Sequence, residues 1–239
     1  MRLALLVIAV VAVLVAAAAV WDSRRTQRFG AGPSPTWTAA PTNHPPPAGT
    51  ARFADARAKL AALPVKVWDR REDFQRSRFG PAWSDDVDVE YGHNGCNTRD
   101  DILRSDLTDP VIRRDTCYVE SGVLHDPYTG DTIAFVRGPQ TSDGVQIDHV
   151  VSLADAWYKG ARQWDDQRRL DFANDPRNLL AVSPKANFDK AFRDAAGWLP
   201  PDSGFRCDFA ARQVEVKTRY GLWVSAREKR ALGQVLAGC

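Results

Sequence analysis

The most uniform hydrophobic pattern of the chain lies near its N-terminus. Residues 3–20 contain no polar or charged side chain, and this length lies between that of a signal-peptide core and that of a membrane-spanning helix. A helix on the surface of a folded core would have a polar face, which this run lacks. We therefore predict that the chain is exported, with residues 1–28 as a signal peptide or a membrane anchor. Small residues at 16–19 favour cleavage, and the charged residues that follow are compatible with an uncleaved anchor.

A second change of pattern separates this segment from the folded part. Residues 29–50 are rich in Pro, Ala, Thr and Gly and have no hydrophobic period, so they bury too little apolar surface to order, and we predict a linker. Residues 51–63 regain a helical pattern, with Phe53 and Leu60 on the buried side, and Pro64 ends it. The folded domain is expected to begin with this helix.

Two further patterns define elements inside the domain. Residues 117–136 contain two strand-like runs around DPYTG, where Pro127 and Gly130 suit a turn, so the pattern predicts a β-hairpin. Near the end of the chain, an S-x-x-E capping box at Ser225 predicts the start of a C-terminal helix. This mixture of hairpins and helices indicates an α+β fold in one domain, residues 51–239.

Polar residues of catalytic type occur where strand-like runs end. Residues 145–151 form such a run, which carries Asp148 and His149 side by side. Asn178 opens a second apolar run, LLAV. The Ser-Pro pair after it suits a helix N-cap and first turn, and the predicted helix carries Asn187. The order of elements is strand, long excursion, strand and helix.

Composition limits the function classes. The chain has 239 residues, 44% of them hydrophobic, which is enough for one or two cores. The formal net charge is only +2, so there is no global basic field and any site for a polyanion must be local.

The four cysteines form an even set in a chain that is predicted to be exported, which favours two disulfides over free thiols. Three pairings are possible. We favour Cys96 with Cys117 and Cys207 with Cys239, because each pair closes a local segment and the second fastens the C-terminal residue. A four-cysteine zinc site is the rival, which the absence of any CxxC spacing disfavours.

Several strings occur together in a specific order: CNTRDDIL, DPYTG, DHVV, NDPRNL and NFDK ahead of WLPP. The chain resembles the HNH endonuclease superfamily with its ββα-metal fold, and more closely an exported bacterial HNH family that carries DHVV, NDPxNL and NxxK ahead of WLPP. The resemblance extends from about Phe79 to Cys239. One departure follows Lys190, where the family usually has Gly and then Asp but this chain has Ala191 and Phe192.

The resemblance implies a metal-dependent endonuclease that hydrolyses phosphodiester bonds of nucleic acid, with DNA as the expected substrate. Asp148 and Asn187 offer hard oxygen ligands of the kind that suit Mg²⁺ or Mn²⁺. His149 is implied as the general base, for which a neutral imidazole is suited. Asn178 is implied to fix the loop that carries His149. Because neighbouring strand residues point to opposite sides, Asp148 and His149 should face different ways.

Expected contacts with substrate are fewer. Lys190 lies one helical turn beyond Asn187 and is expected to contact a phosphate. Arg162 lies between Trp157 and Trp164, and cations interleaved with aromatics can hold a nucleic-acid backbone; equally, the tryptophans could be core residues beside a solvated arginine. The other two domain histidines, His93 and His125, are expected in turns.

Two rival functions remain open. The first is a catalytically weak or inactive HNH-fold module that acts as an extracellular binding protein, which Phe192 in place of an acidic residue would suit. The second is a metallohydrolase that acts on a different phosphodiester. No obligate protein partner is evident from the sequence.

Overall fold

A computed structural model describes residues 49–67 and 73–239. The predicted signal or anchor, residues 1–28, therefore lies outside the described residues, as do residues 29–48 of the predicted linker. Among the residues that are described, no helix has both the length and the apolar character needed to cross a membrane.

The described elements alternate between helices and short strands, which confirms the α+β prediction. In chain order they are α1 Gly49–Ala62, α2 Thr98–Asp106, β1 Leu107–Ile112, β2 Val119–His125, β3 Thr132–Val136, β4 Gln146–His149, α3 Leu153–Tyr158, α4 Asp166–Asn174, β5 Leu179–Val182, α5 Pro184–Lys190, α6 Arg206–Tyr220 and α7 Ala226–Ala237. Short 3-10 helices lie between them, including Arg76–Phe79 and Pro176–Asn178.

The predicted β-hairpin is present as β2 and β3, and β1 extends it to a three-stranded antiparallel sheet. At the turn, the N–H of Gly130 donates to the carbonyl of Asp126 at 2.8 Å. Gly130 has a φ of 79°, a conformation that glycine adopts without the steric cost of a Cβ atom. The DPYTG string therefore forms the turn as predicted.

The predicted strand–excursion–strand–helix order is also present, and it forms the ββα core. β4 pairs with β5 in antiparallel register, so Asp148 lies opposite Leu180 and His149 opposite Leu179. The excursion between the two strands contains α3 and α4. After β5, Ser183 caps α5 by accepting a hydrogen bond from the N–H of Ala186, and this helix packs against β4.

The two ends of the described domain pack together. α1 begins at Gly49, two residues before the predicted start and thus inside the predicted linker. Its buried residues Ala56 and Leu60 pack in one core cluster with residues of α6 and α7. The predicted capping box at the start of α7 is present, with the side chains of Ser225 and Glu228 each bonding the other's backbone N–H.

Both predicted disulfides are confirmed. Cys96 pairs with Cys117, with a Cα–Cα distance of 5.5 Å, and Cys207 pairs with Cys239, with a Cα–Cα distance of 5.9 Å. The first ties the segment before α2 to the segment before β2. The second ties the start of α6 to the C-terminal residue.

Candidate active site around His149

Asp148 and His149, neighbours at the end of β4, face opposite sides of the two-stranded β4–β5 sheet, as strand geometry requires. On one side, Gln146 accepts a hydrogen bond from the amide of Asn187 at 2.8 Å, and Asp148 contacts Lys190 of the same helix. On the other side, the His149 ring stacks on Trp83, with ring centroids 6.0 Å apart and planes inclined by 10°. β4 therefore separates an acidic group under α5 from an imidazole on the far side.

The tautomer of His149 follows from its hydrogen bond. Its Nε2 lies 2.9 Å from the carbonyl oxygen of Ala173, and a carbonyl only accepts, so Nε2 carries the proton. In a neutral ring, Nδ1 is then the acceptor. Burial is the main cause that lowers the pKa of His149 to about 3; the Ala173 carbonyl opposes this shift, and the charges of Arg76 and Lys190 add to it. The imidazole is therefore neutral at physiological pH.

His149 lines a small cavity of about 30 Å³. Other lining residues include Arg76, Trp83, Leu153, Ala173 and Asn174. A volume of about 15 Å³ is enough for one water molecule, so the cavity has room for a water beside the imidazole. The site thus combines a proton acceptor with a pocket of the size that a nucleophilic water needs.

Asn178 fixes the loop that follows His149. Its side-chain oxygen accepts from the N–H of Val151 at 2.8 Å, and its amide donates to the carbonyl of Val151 at 3.1 Å. Its backbone carbonyl accepts from the N–H of Val150 at 2.8 Å. Asn178 is fully buried, so it acts on the loop and is not positioned to touch a substrate.

The Asp148 carboxylate is occupied on both oxygens. The hydroxyl of Tyr128 donates to Oδ2 at 2.6 Å. The Lys190 ammonium lies 3.0 Å from Oδ1 and 2.9 Å from Oδ2, and it also donates to the carbonyl of His149 at 2.7 Å. Burial raises the pKa of Asp148, and the charge of Lys190 opposes that shift. Lys190 is fully buried, and the structure places its ammonium on Asp148; a contact between Lys190 and a substrate phosphate stays a prediction.

The Asp148 carboxylate, as it is arranged, does not fit a metal ion. A divalent cation at the Asp148 carboxylate would meet the Lys190 ammonium in the same place, and like charges in a buried site repel strongly. Asn187 donates its amide N–H to Gln146, and this bond does not involve its side-chain oxygen, the atom expected to bind a metal. Within residues 49–67 and 73–239, no group of three or more His, Cys, Asp or Glu side chains could hold a metal. The ligand assignment stays a prediction.

Arg162 is also engaged by the protein. Its guanidinium lies 3.0 Å from the carboxylate of Asp73, which also accepts from the indole N–H of Trp157 at 2.8 Å. Trp157 is buried in a core cluster, and Trp164 packs against that cluster. Trp157 and Trp164 are therefore core residues, which was the alternative interpretation of the sequence. A phosphate contact by Arg162 stays a prediction.

Sequence reasoning missed three residues of this region: Arg76, Trp83 and Tyr128. The sequence indicated Tyr128 only as part of the DPYTG turn, although its hydroxyl donates to Asp148. Arg76 and Trp83 flank the FG string at the upstream limit of the family resemblance. No local spacing connects them to His149, so only the tertiary fold reveals that they share its cavity.

Comparison with known proteins identifies the family. Residues 97–235 match the family described as "GmrSD restriction endonucleases, C-terminal domain", and this match covers more than half of the chain. The chain belongs to this family. It is an HNH-type nuclease family, which agrees with the ββα core formed by β4, β5 and α5. The predicted HNH membership is therefore confirmed.

A curated relative extends the match toward the N-terminus. The chain is 32% identical over 206 residues to an "Uncharacterized secreted protein" of the fungus Arthroderma benhamiae, and the aligned region covers 85% of this chain and 94% of the relative. The expected restriction to bacterial relatives is therefore too narrow. No solved structure matches the chain.

Proposed function

We propose that this member of the GmrSD C-terminal family hydrolyses phosphodiester bonds of nucleic acid, with DNA as the expected substrate and His149 as the general base. The observation that carries the proposal is the hydrogen bond from His149 Nε2 to the Ala173 carbonyl, which leaves Nδ1 as a proton acceptor in a ring that lines a water-sized cavity. The family match supports the reaction class.

The chemistry assigned to the chain is a proton transfer. Nδ1 of His149 accepts a proton from water while the water oxygen forms a bond to phosphorus. The bond from phosphorus to one nucleoside oxygen breaks, and the departing oxygen takes a proton from solvent. The Ala173 carbonyl orients the His149 ring by accepting a hydrogen bond from Nε2, and Asn178 fixes the loop after His149 through its bond to Val151. General-base catalysis of this kind contributes about 10²- to 10⁴-fold in rate.

The cofactor expected for the superfamily is a divalent metal, Mg²⁺ or Mn²⁺, which would neutralise charge on the phosphate. Asp148 and Asn187 are the ligands that the resemblance implies. Because the Lys190 ammonium is bound to Asp148, the present arrangement supports no step through a metal held there, and we assign none. Metal dependence is therefore tested separately from the role of His149.

We also propose that the protein acts outside the cytosol. Two disulfides are present, and structural disulfides persist in oxidising compartments. The fungal relative that covers most of the chain is named as a secreted protein.

A plasmid-nicking assay on the purified protein tests the proposed activity. We expect the wild type to convert supercoiled DNA to the open circle in the presence of Mg²⁺ or Mn²⁺, and His149→Ala to slow this conversion by about 10²- to 10⁴-fold. His125→Ala is the matched control, because His125 is exposed and bonds only the hydroxyl of Thr132 among the described residues. Equal loss in the two variants would contradict the assignment. Tight DNA binding without cleavage by the wild type would instead support the rival binding module.

A further inference from the structure

Arg76 is a cation beside His149. It begins the 3-10 helix Arg76–Phe79 and is exposed, and it lines the same cavity as His149. Within residues 49–67 and 73–239, no hydrogen bond or ion pair engages its guanidinium.

The Asn174 side chain, which also lines the cavity, is already occupied. Asn174 accepts from the Thr98 hydroxyl at 2.9 Å and donates to the Leu170 carbonyl at 2.9 Å. Most of the remaining lining, including Phe79 and Trp83, is aromatic or aliphatic. The cavity therefore has one available base and one available cation.

We infer that Arg76 binds the non-bridging oxygens of the phosphate at the scissile bond, next to the water that His149 deprotonates. The inference rests on the proposed phosphodiesterase function and adds to it a substrate-binding residue. A guanidinium presents paired N–H donors that match two phosphate oxygens. A neutral imidazole cannot balance the negative charge that builds on phosphorus during attack, whereas a neighbouring guanidinium can.

The inference also explains a division of labour between the two sides of β4. Under α5, the Lys190 ammonium is paired with Asp148 and bonds the His149 carbonyl. On the His149 side, Arg76 remains open to an anion. Substrate recognition is thereby assigned to the side of the strand that carries the base.

The test uses two variants at position 76 and a matched control. Arg76→Ala removes the guanidinium, and Arg76→Lys keeps the charge without the paired donors. Arg78→Ala is the control, because Arg78 is exposed on the same 3-10 helix and does not line the cavity. Each change is also made in the His149→Ala background, in which affinity for a fluorescent DNA duplex is measured without cleavage.

We expect Arg76→Ala to lower kcat/KM for plasmid nicking by about 10²-fold and to weaken binding of the DNA duplex by about tenfold. Addition of guanidinium ion at low millimolar concentration should restore part of the kcat of this variant. Arg76→Lys should lie between Arg76→Ala and the wild type, and Arg78→Ala should change each quantity by less than about threefold.

The outcomes separate this inference from the proposed function. If the wild type nicks DNA and Arg76→Ala behaves like Arg78→Ala, the inference is overturned and the nuclease function stands. If the wild type neither nicks nor binds DNA, the proposed function fails and the inference fails with it. Circular dichroism of each variant shows whether the fold is kept. We expect that it is, because both arginines are exposed.

Discussion

Ala191 has a backbone conformation that glycine adopts more readily. It ends α5 with φ 50° and ψ −127°, and its N–H donates to the carbonyl of Asn187 at 2.9 Å. This is the position at which the resembling family usually has glycine. A non-glycine residue in such a region costs about 1–3 kcal/mol, whereas glycine itself costs about 0.5–1 kcal/mol in lost chain entropy. The helix end is therefore strained in this chain.

Ala191→Gly should consequently raise the free energy of unfolding by about 1 kcal/mol. Urea denaturation followed by far-ultraviolet circular dichroism measures the change. The control is Ala231→Gly in the interior of α7, where helical propensity predicts a loss of about 1 kcal/mol. Equal destabilisation by the two substitutions would show that Ala191 is not strained.

Asp148 and Lys190 form a buried pair whose role is open to a direct test. Both oxygens of Asp148 are bonded, to Lys190 and to Tyr128. Asp148→Asn leaves the buried ammonium without its counter-charge, so we expect a loss of about 3–5 kcal/mol in the free energy of unfolding. If the pair is structural, calorimetric titration with Mn²⁺ should give the same affinity for the folded variant as for the wild type.

Two further variants keep this prediction interpretable. The double change Asp148→Asn with Lys190→Met removes both charges and should recover much of the lost stability, because no buried charge is left unpaired. Asn187→Ala removes one hydrogen bond to Gln146 and should cost only about 1 kcal/mol. Weaker Mn²⁺ binding by Asp148→Asn at unchanged stability would make Asp148 a metal ligand after all.

At the scale of elements, three helices are joined by buried charges. The Lys217 ammonium of α6 lies 2.5 Å from the Asp155 carboxylate of α3 and 2.6 Å from the Glu228 carboxylate of α7. Lys159, the residue after α3, lies 2.6 Å from Glu228 as well. These four side chains are buried. Burial raises the pKa of Glu228, and the charge of Lys217 is the largest cause that opposes this shift.

Removing one cation from this network should be costly. Lys217→Met leaves Asp155 and Glu228 to share Lys159, which also pairs with Asp194, so we expect a loss of about 3–5 kcal/mol in the free energy of unfolding. Lys185→Met is the control; Lys185 is exposed and pairs with Asp189 four residues away, where a change within about 0.5 kcal/mol is expected. Thermal and urea unfolding both report the difference. Similar stabilities for the two variants would mean that the network contributes little.

Elements with local signals could be predicted from the sequence. Pro64 ends the first helix region, Pro127 and Gly130 form the hairpin turn, and Ser225 starts α7, because each of these effects depends on a few neighbouring residues. The start of a helix without a strong cap is predicted less accurately. α1 begins at Gly49, inside the segment that composition assigned to the linker.

The site could be predicted only in part. The strings around Asp148, His149 and Asn178 mark the ββα core, and strand alternation correctly placed Asp148 and His149 on opposite sides. The pairing of Lys190 with Asp148 could not be predicted, since helical periodicity shows a shared face but not whether that face is buried. Arg76 and Trp83 lie far upstream of His149, and only long-range packing brings them to its cavity.

At the scale of the whole molecule, charge limits how nucleic acid is attracted. The formal net charge is +2, with 32 Lys and Arg against 30 Asp and Glu. Many of the cations are bound to carboxylates, as in the buried network and in the Asp148–Lys190 pair. A protein of this kind has little long-range field to draw in a polyanion. Binding should therefore depend on a few contacts at the site.

This limit predicts a shallow dependence of DNA binding on salt. Each phosphate contact contributes about −0.9 to the slope of log K against log salt for duplex DNA, so a few contacts should give a slope between about −1 and −3. The measurement is fluorescence anisotropy of a labelled duplex with the His149→Ala protein from low to physiological salt. Adding Arg76→Ala should make the slope shallower by about 1, because one phosphate contact is lost, whereas Lys185→Met should leave it unchanged. A slope steeper than about −6 in the parent protein would require an extended basic surface, and it would move the recognition of nucleic acid away from the His149 cavity.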